Sequence, residues 1–359
     1  MVLMSEAAAV KKRTLLVFAY EFSPESMIFS HQFKIIMELS RSFEEVVLIV
    51  NSSRIDSRLP SNIKIYDLKW GQSPLALSIF RLYLYFLQTV ITKKPNVIFS
   101  FMTETHSAMI GPIAKILGIK HVLWYAHVAT PIRLKIAKLF VDRILTSTPD
   151  SIDFSSRKLI PIGQMIDDND FPWLANRNYS RKENWIHVGR LDPSKNIDLL
   201  IETFLAFQSN NKKMILSLVG LSTPKFIHYE NYLKKKYELA IENGLVNFLG
   251  RRTSDEISKL LQQSDLFIHA FEGSLDKSLI EATFSGVTVI TKNQAFLREF
   301  GPLSSPFRND PNYLHKEIEN WLTLAPEYLR DVAEKRRLTA SNSHSFSSWI
   351  LRVENELFA

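Results

Sequence analysis

The chain has 359 residues, enough for two domains that each bury their own core. It is 46% apolar and 23% charged, as ordinary globular proteins are, and without cysteine it can form neither disulfides nor thiolate metal sites, which fits a reducing compartment. The formal charge of +7 is uneven, with 20 Lys/Arg against 15 Asp/Glu in residues 1–175 and 24 against 22 in the rest; that suggests an anionic neighbour such as a membrane surface or a phosphorylated acceptor, but scattered cations without a motif argue against nucleic acid.

At the start, Lys11, Lys12 and Arg13 precede an apolar run that stops at Glu21. The run is too short for an export signal and right for a first strand, TLLVFAY at 14–20. A helix over Phe33–Phe43 follows, then strands EVVLIV (45–50) and IKIYDL (63–68). Residues 74–91, PLALSIFRLYLYFLQTVI, are the longest apolar run, interrupted by Arg81. They predict a buried helix or an interfacial one rather than a membrane span. Next come strand NVIFSF (96–101), a helix over Ala108–Leu117, strand HVLWYAH (121–127), a helix over Leu134–Phe140 and strand RILTST (143–148). Nearly all-apolar strands alternating with helices predict a parallel sheet covered on both faces.

Between Lys158 and Glu183 the chain turns polar around Pro161, Gly163 and Pro172, which reads as a last strand followed by a linker. The alternation then restarts: WIHV (185–188), a helix within 196–207, MILSLVG (214–220), a charged helix over Tyr229–Asn243, VNFLG (246–250), a helix over Asp255–Gln263, DLFIHA (265–270), a helix ending before Gly286, and VTVIT (287–291). The tail Glu327–Phe358 is helical with a break at SNSHSF. The expected domains are 1–170, a linker 171–183, a second α/β domain 184–342 and a terminal helix 343–359.

WIHVGRLDPSK (185–195) carries the clearest chemistry. A strand runs into Gly189, a turn and then a helix capped by Asp192 or Asn196, which sets Arg190 and Lys195 at the crevice outside the sheet. A guanidinium fork and an ammonium suit an anionic group such as a diphosphate. The same two cations are equally at home flanking a plain solvated turn.

Three second-domain blocks stand at successive strand ends: GRLDPSK, then VNFLGRRTSDEISKLLQQSDLFIHA, then EGSLDKSLIEATFSGVTVIT. In this order, and with HVLWYAHVATPIRLKIAKLFVDRILTSTPDSI and KLIPIGQMID in the first half, the chain resembles the retaining glycosyltransferases of family 4. The resemblance implies the GT-B fold: two facing Rossmann-like domains, a parallel sheet in each, and a C-terminal helix crossing back to the first. It implies transfer of a sugar from a nucleoside diphosphate sugar to an acceptor hydroxyl with retention, needing neither metal nor cofactor. Gly189, Arg190 and Lys195 would hold the donor diphosphate, and Glu281 the nucleotide ribose. Gly273, Ser274, Lys277, Ser278 and Leu279, around the start of a helix, would add donors toward phosphate. His127 would face the donor sugar, although as a residue it equally reads as a satisfied histidine at a strand end.

The family has two glutamates seven residues apart, but counting back from Glu281 reaches Gly273, with Glu272 next to it. Asp276 and Glu272 are therefore expected to share contact with the donor sugar. The loop YEFSPESMIFSHQ lacks the usual glycines and would shape the acceptor pocket. Thr105 and His106 are further acceptor-binding candidates. The acceptor would be a glycan, glycolipid or lipid-linked molecule, placing a cytoplasmic enzyme of cell-surface glycan or glycolipid synthesis against the inner face of the membrane.

Other readings compete. Asp168, Asn169 and Asp170 spell the acidic triplet of metal-dependent GT-A enzymes, but in a linker they are explained by solvation. A phosphorylase would need a pyridoxal phosphate lysine that nothing marks. A nucleotide-sugar 2-epimerase or a catalytically silent GT-B-like binding subunit stays open because of the altered glutamate spacing.

Overall fold

A computed structural model describes residues 13–26, 30–55, 59–127, 129–208, 213–303, 310 and 312–359. The basic start before Arg13 and residues 27–29 of the first loop lie outside the described residues. The chain forms two compact units, residues 1–162 with 350–359, and residues 163–349.

In the first unit the order is β1 (Thr14–Phe22), α1 (Ser30–Leu39), β2 (Glu45–Ser53), β3 (Ile63–Asp67), α2 (Leu75–Lys93), β4 (Val97–Phe101), α3 (Glu104–Ile116), β5 (Lys120–Trp124), α4 (Ile132–Phe140), β6 (Arg143–Thr146) and β7 (Leu159–Pro161). The strands make one parallel sheet in the order β3-β2-β1-β4-β5-β6-β7. Leu15 to Ala19 and Val46 to Val50 are buried without interruption, as strands covered on both faces must be.

One helix departs from the sequence reading. α2 buries only Ser78, Leu82, Phe86 and Thr89 against the sheet, while Leu77, Phe80, Leu84, Leu87 and Ile91 are exposed. It is long and apolar enough, by length and composition, to cross a membrane. The expectation of a buried helix is therefore corrected: one face of α2, with Tyr85 and Val90 at its edges, meets the core, and the opposite stripe is apolar too.

The second unit contains β8 (Asn184–Val188), α5 (Ile197–Gln208), β9 (Ile215–Val219), α6 (Ile227–Lys236), α7 (Glu238–Glu242), β10 (Val246–Gly250), α8 (Ser254–Gln263), β11 (Leu266–His269), α9 (Lys277–Ser285), β12 (Thr288–Thr291), α10 (Gln294–Phe300), α11 (Tyr313–Thr323) and α12 (Pro326–His344). Its strands are parallel in the order β10-β9-β8-β11-β12. Alternate residues feed the two faces: Trp185, Leu216 and Ile268 enter one core, Ile186, Phe267 and Val289 the other. The single helix expected over Tyr229–Asn243 is two, broken at Tyr237, which turns inward so that its hydroxyl donates to Asp198 Oδ1 at 2.5 Å.

α12 ends at His344 and α13 (Phe346–Phe358) begins after Ser345, the break expected at SNSHSF. That break pairs with the strand-like residue Ile166 (Phe346 N to Ile166 O 2.7 Å, Ile166 N to His344 O 2.8 Å). Gly163, at φ +94°, permits the approach, since a Cβ there would sit 1.8 Å from Ser343 O. From Ile350 onward α13 belongs to the first unit, where Ser42 donates to Glu354 and Lys120 to the Glu356 carbonyl.

Candidate functional site

The carboxyl ends of β8, β11 and β12 converge in the second unit, as the topology of a doubly wound sheet requires. After β8 the backbone passes Gly189, packed so closely on its neighbour that a Cβ on Gly220 would lie 1.9 Å from Gly189 O. Asp192, almost fully buried, accepts from Thr223 N at 2.9 Å and from its hydroxyl at 3.2 Å. Its other oxygen lies 3.3 Å from Arg190, whose guanidinium is 64% exposed. Asn196, held at φ 50°, donates to Ala270 O at 3.2 Å. Neither side chain caps α5, contrary to the sequence reading. Both instead tie the turn to neighbouring strand ends.

Lys195 points inward, pairs with Asp276 Oδ2 and lies 3.6 Å from the centre of the Phe271 ring. Burial lowers its ammonium pKa, and the Asp276 charge acts in the opposite direction. Asp276 also contacts His269 Nε2 at 2.9 Å, while His269 Nδ1 meets the Thr291 hydroxyl at 2.9 Å and Thr291 Oγ1 accepts from Asn293 N at 3.0 Å. Burial lowers the His269 imidazole pKa, with the Asp276 hydrogen bond and charge pulling the other way. The network then assigns it the Nε2–H tautomer, donating to the carboxylate and accepting from threonine. Burial alone would raise the Asp276 carboxyl, but the His269 hydrogen bond and the Lys195 charge outweigh it and pull it down to about 2. Behind this pair His187 stacks on His269 with centroids 5.8 Å apart and is pushed by burial down to about 3.

The loop between β11 and α9 is pinned from β12. Asn293, fully buried, directs Nδ2 at the carbonyls of Phe271, Gly273 and Ser274 at 3.2, 3.0 and 3.1 Å, and its Oδ1 accepts from Phe296 N. Gly273 is dictated by Phe271, whose ring would lie 2.2 Å from an added Cβ. Glu272 turns out to solvent and pairs with Lys292 at 2.6 Å. In α9, Ser278 and Leu279 are buried, and exposed Lys277 reaches Glu281 at 3.6 Å. Burial raises the Glu281 carboxyl, with Lys277 pulling against it and the Asp276 charge adding to the rise.

The fold thus brings Gly189, Arg190, Lys195, Asp276 and Glu281 to one set of strand ends, while Glu272 faces Lys292 rather than Lys195. His269, Thr291 and Asn293 were missed in the sequence. Their signal was weak but present: a histidine closing the apolar strand LFIHA, and an asparagine in the cap position after VTVIT.

In the first unit, His127 is exposed after β5, edge-on to Tyr125 at 5.9 Å. Thr105 is half-buried in the first turn of α3. His106 lies inside, stacked on Phe18 at 6.0 Å and edge-on to Trp70 at 5.0 Å. Among the described residues neither of its ring nitrogens has a hydrogen-bond partner, and burial pushes it down to about 4. Beside it the sequence reading missed Glu104, buried and held by Arg133 Nε at 2.5 Å. Burial raises the hydroxyl of Tyr20, with the Glu104 charge adding to it. The triplet Asp168, Asn169, Asp170 forms a turn in which Asp167 Oδ1 accepts from Asn169 N at 3.2 Å, and the Asp170 charge adds to the rise of the Glu281 carboxyl.

Residues 175–333 match the sequence profile of the family described as glycosyl transferases group 1. No curated protein sequence matches the chain. Solved structures do. Anabaena HepE in complex with UDP aligns at 14% identity over 96% of this chain and 99% of its own, with a TM-score of 0.68. A glycosyltransferase from Rickettsia africae ESF-5 aligns at 12% identity over 96% and 98%, with a TM-score of 0.71. WaaG, a glycosyltransferase involved in lipopolysaccharide biosynthesis, aligns at 14% over 96% and 99%, with a TM-score of 0.61. The two parallel-sheet units are those of the GT-B fold, and the site just described lies in the unit that the family profile covers.

Proposed function

We propose that the protein is a glycosyltransferase that binds a nucleoside diphosphate sugar at the β8, β11 and β12 strand ends and transfers the sugar to an acceptor hydroxyl. The observation that carries this reading is the joining of Arg190, Lys195, Asp276 and Glu281 at those ends, within the segment matched to glycosyl transferases group 1. Arg190 is the exposed cation and meets the diphosphate; Lys195, drawn in by Asp276, adds its charge from behind. As the leaving diphosphate gains charge these cations stabilise it more than the ground state. Glu281 suits the ribose, because hydroxyl donors would relieve a carboxylate that burial now disfavours. The two cations at the diphosphate take the place of a metal, and the sugar transfers with retention, the acceptor attacking on the face from which the diphosphate leaves and its proton passing to the leaving phosphate oxygen. Asp276, fixed by Lys195 and His269, orients the sugar. Thr105, with Glu104 and Arg133, serves the acceptor, a hydroxyl borne on a glycan, glycolipid or lipid-linked molecule at the inner face of a membrane.

The test is a thermal-shift series with UDP, GDP and ADP, each with EDTA. UDP is tried first because HepE is seen with it. One nucleotide should raise the melting temperature in EDTA and lose that effect in Arg190→Ala and Glu281→Ala, since a ligand that binds only the native state stabilises it. No shift with any nucleotide overturns the reading.

A further inference from the structure

Among the described residues of 13–162, the exposed large hydrophobic side chains all fall on α2, α3 with its following Leu117, and α4. Along α2, Leu77, Phe80, Leu84, Leu87 and Ile91 recur every three or four residues and form one stripe opposite the buried Leu82 and Phe86. On α4, Ile132, Ile136 and Leu139 do the same opposite Leu134 and Ala137. Ile116, 85% exposed, closes α3 between them. α2 packs on α3 and α3 on α4, and the connections from β3 through β6 all step the same way across the sheet, so right-handed crossovers put the three helices on one face. A contiguous apolar face of this kind on a protein surface marks an interaction site.

Charge identifies what covers it. α2 and α4 contain no acidic residue, and the one acid of α3, Glu104, is buried against Arg133. Lys93 on α2 pairs with Glu45, Lys115 on α3 with Asp142 and Arg133 on α4 with Glu104, and Arg81 donates to Leu68 O and Ser73; Lys135 and Lys138 on α4 have no acidic partner among the described residues. Apolar stripes edged by Lys135 and Lys138, with no exposed acid on the three helices, suit the headgroup boundary of an anionic bilayer. A second copy of the chain fits worse, because a self-complementary contact would set this cationic edge against itself.

We propose that the outer face of α2, α3 and α4 docks on a bilayer carrying anionic lipid, with Phe80, Leu84, Leu87 and Ile132 entering the headgroup boundary. The proposal names the partner that a lipid-borne acceptor in the reading above would bring, but it rests on surface residues alone and is tested without nucleotide, so the two can fail separately. The full chain is floated with vesicles of phosphatidylcholine alone and of phosphatidylcholine with phosphatidylglycerol. It should float with the anionic vesicles and release as salt rises. Leu84→Asp with Leu87→Asp should reduce flotation at least tenfold, and Lys135→Gln with Lys138→Gln about fivefold per lysine removed. Both variants should keep the wild-type melting temperature, which shows them folded. Flotation unchanged in the folded Asp variant overturns the proposal. So does a wild type that ignores vesicles and instead sediments as a dimer dissociated by Leu84→Asp.

Discussion

The strand ends of the second unit and the outer helices of the first dispose of the same residue types in opposite ways. At the strand ends, charge goes inside: Lys195 and Asp276 pair and are held through His269 and Thr291, and buried Glu281 is reached by Lys277. On α2 and α4, leucine, isoleucine and phenylalanine stand outside. A buried ion survives only with its partner, whereas an exposed leucine costs the isolated domain little. The first arrangement is complete within the chain. The second is completed by something outside it.

The largest effect should come from breaking the buried pair. Asp276→Ala removes the ion-pair partner of enclosed Lys195 and leaves only the charge of Asp192 nearby, and breaking such a pair costs about 3–5 kcal/mol. Chemical denaturation of the second unit, followed through Trp185 fluorescence, should show it. If instead the variant is as stable as wild type, the pairing is not what holds the lysine.

Acid should act on the same cluster more gradually. His187 in the folded state stays neutral down to about 3 rather than its ordinary 6.5, and Asp276 stays ionised down to about 2 rather than 3.8. In both cases the unfolded chain binds more protons across the interval, so stability rises with pH. The His187 contribution is whole above 6.5 and declines toward 3, and the Asp276 contribution is whole above 3.8 and is lost on falling through about 2. Denaturation midpoints should therefore drop between pH 7 and 4, and less so in His187→Phe.

The smallest effect sharpens the other side of the comparison. Leu84→Asp, at a side chain 46% exposed, should change stability by no more than about 0.5 kcal/mol, as open surface positions do. A large loss of melting temperature would mean that α2 has a partner within the chain after all.

Much of this molecule was legible in its residues. Uninterrupted apolar runs such as Leu15–Ala19 can only be strands covered twice, and Gly286 and the Ser345 break ended their helices where the sequence placed them. Arg190 and Lys195 could be placed at a strand end because strand, turn and helix spacing is local, whereas Glu281 was singled out only by the family resemblance. α2 was misjudged because composition reports how apolar a helix is, and only packing against β1, β2 and β4 decides which side is covered. His269 and Asn293 escaped for a related reason: each works through partners 7 to 22 residues away, Asp276 and Thr291 for the first, Phe271, Gly273 and Ser274 for the second. Local periodicity determined the elements and the cations at their ends. Which carboxylate meets Lys195, and which apolar stripe stays outside, was decided by tertiary contact, because burial and hydrogen-bond geometry exist only once the strands have come together.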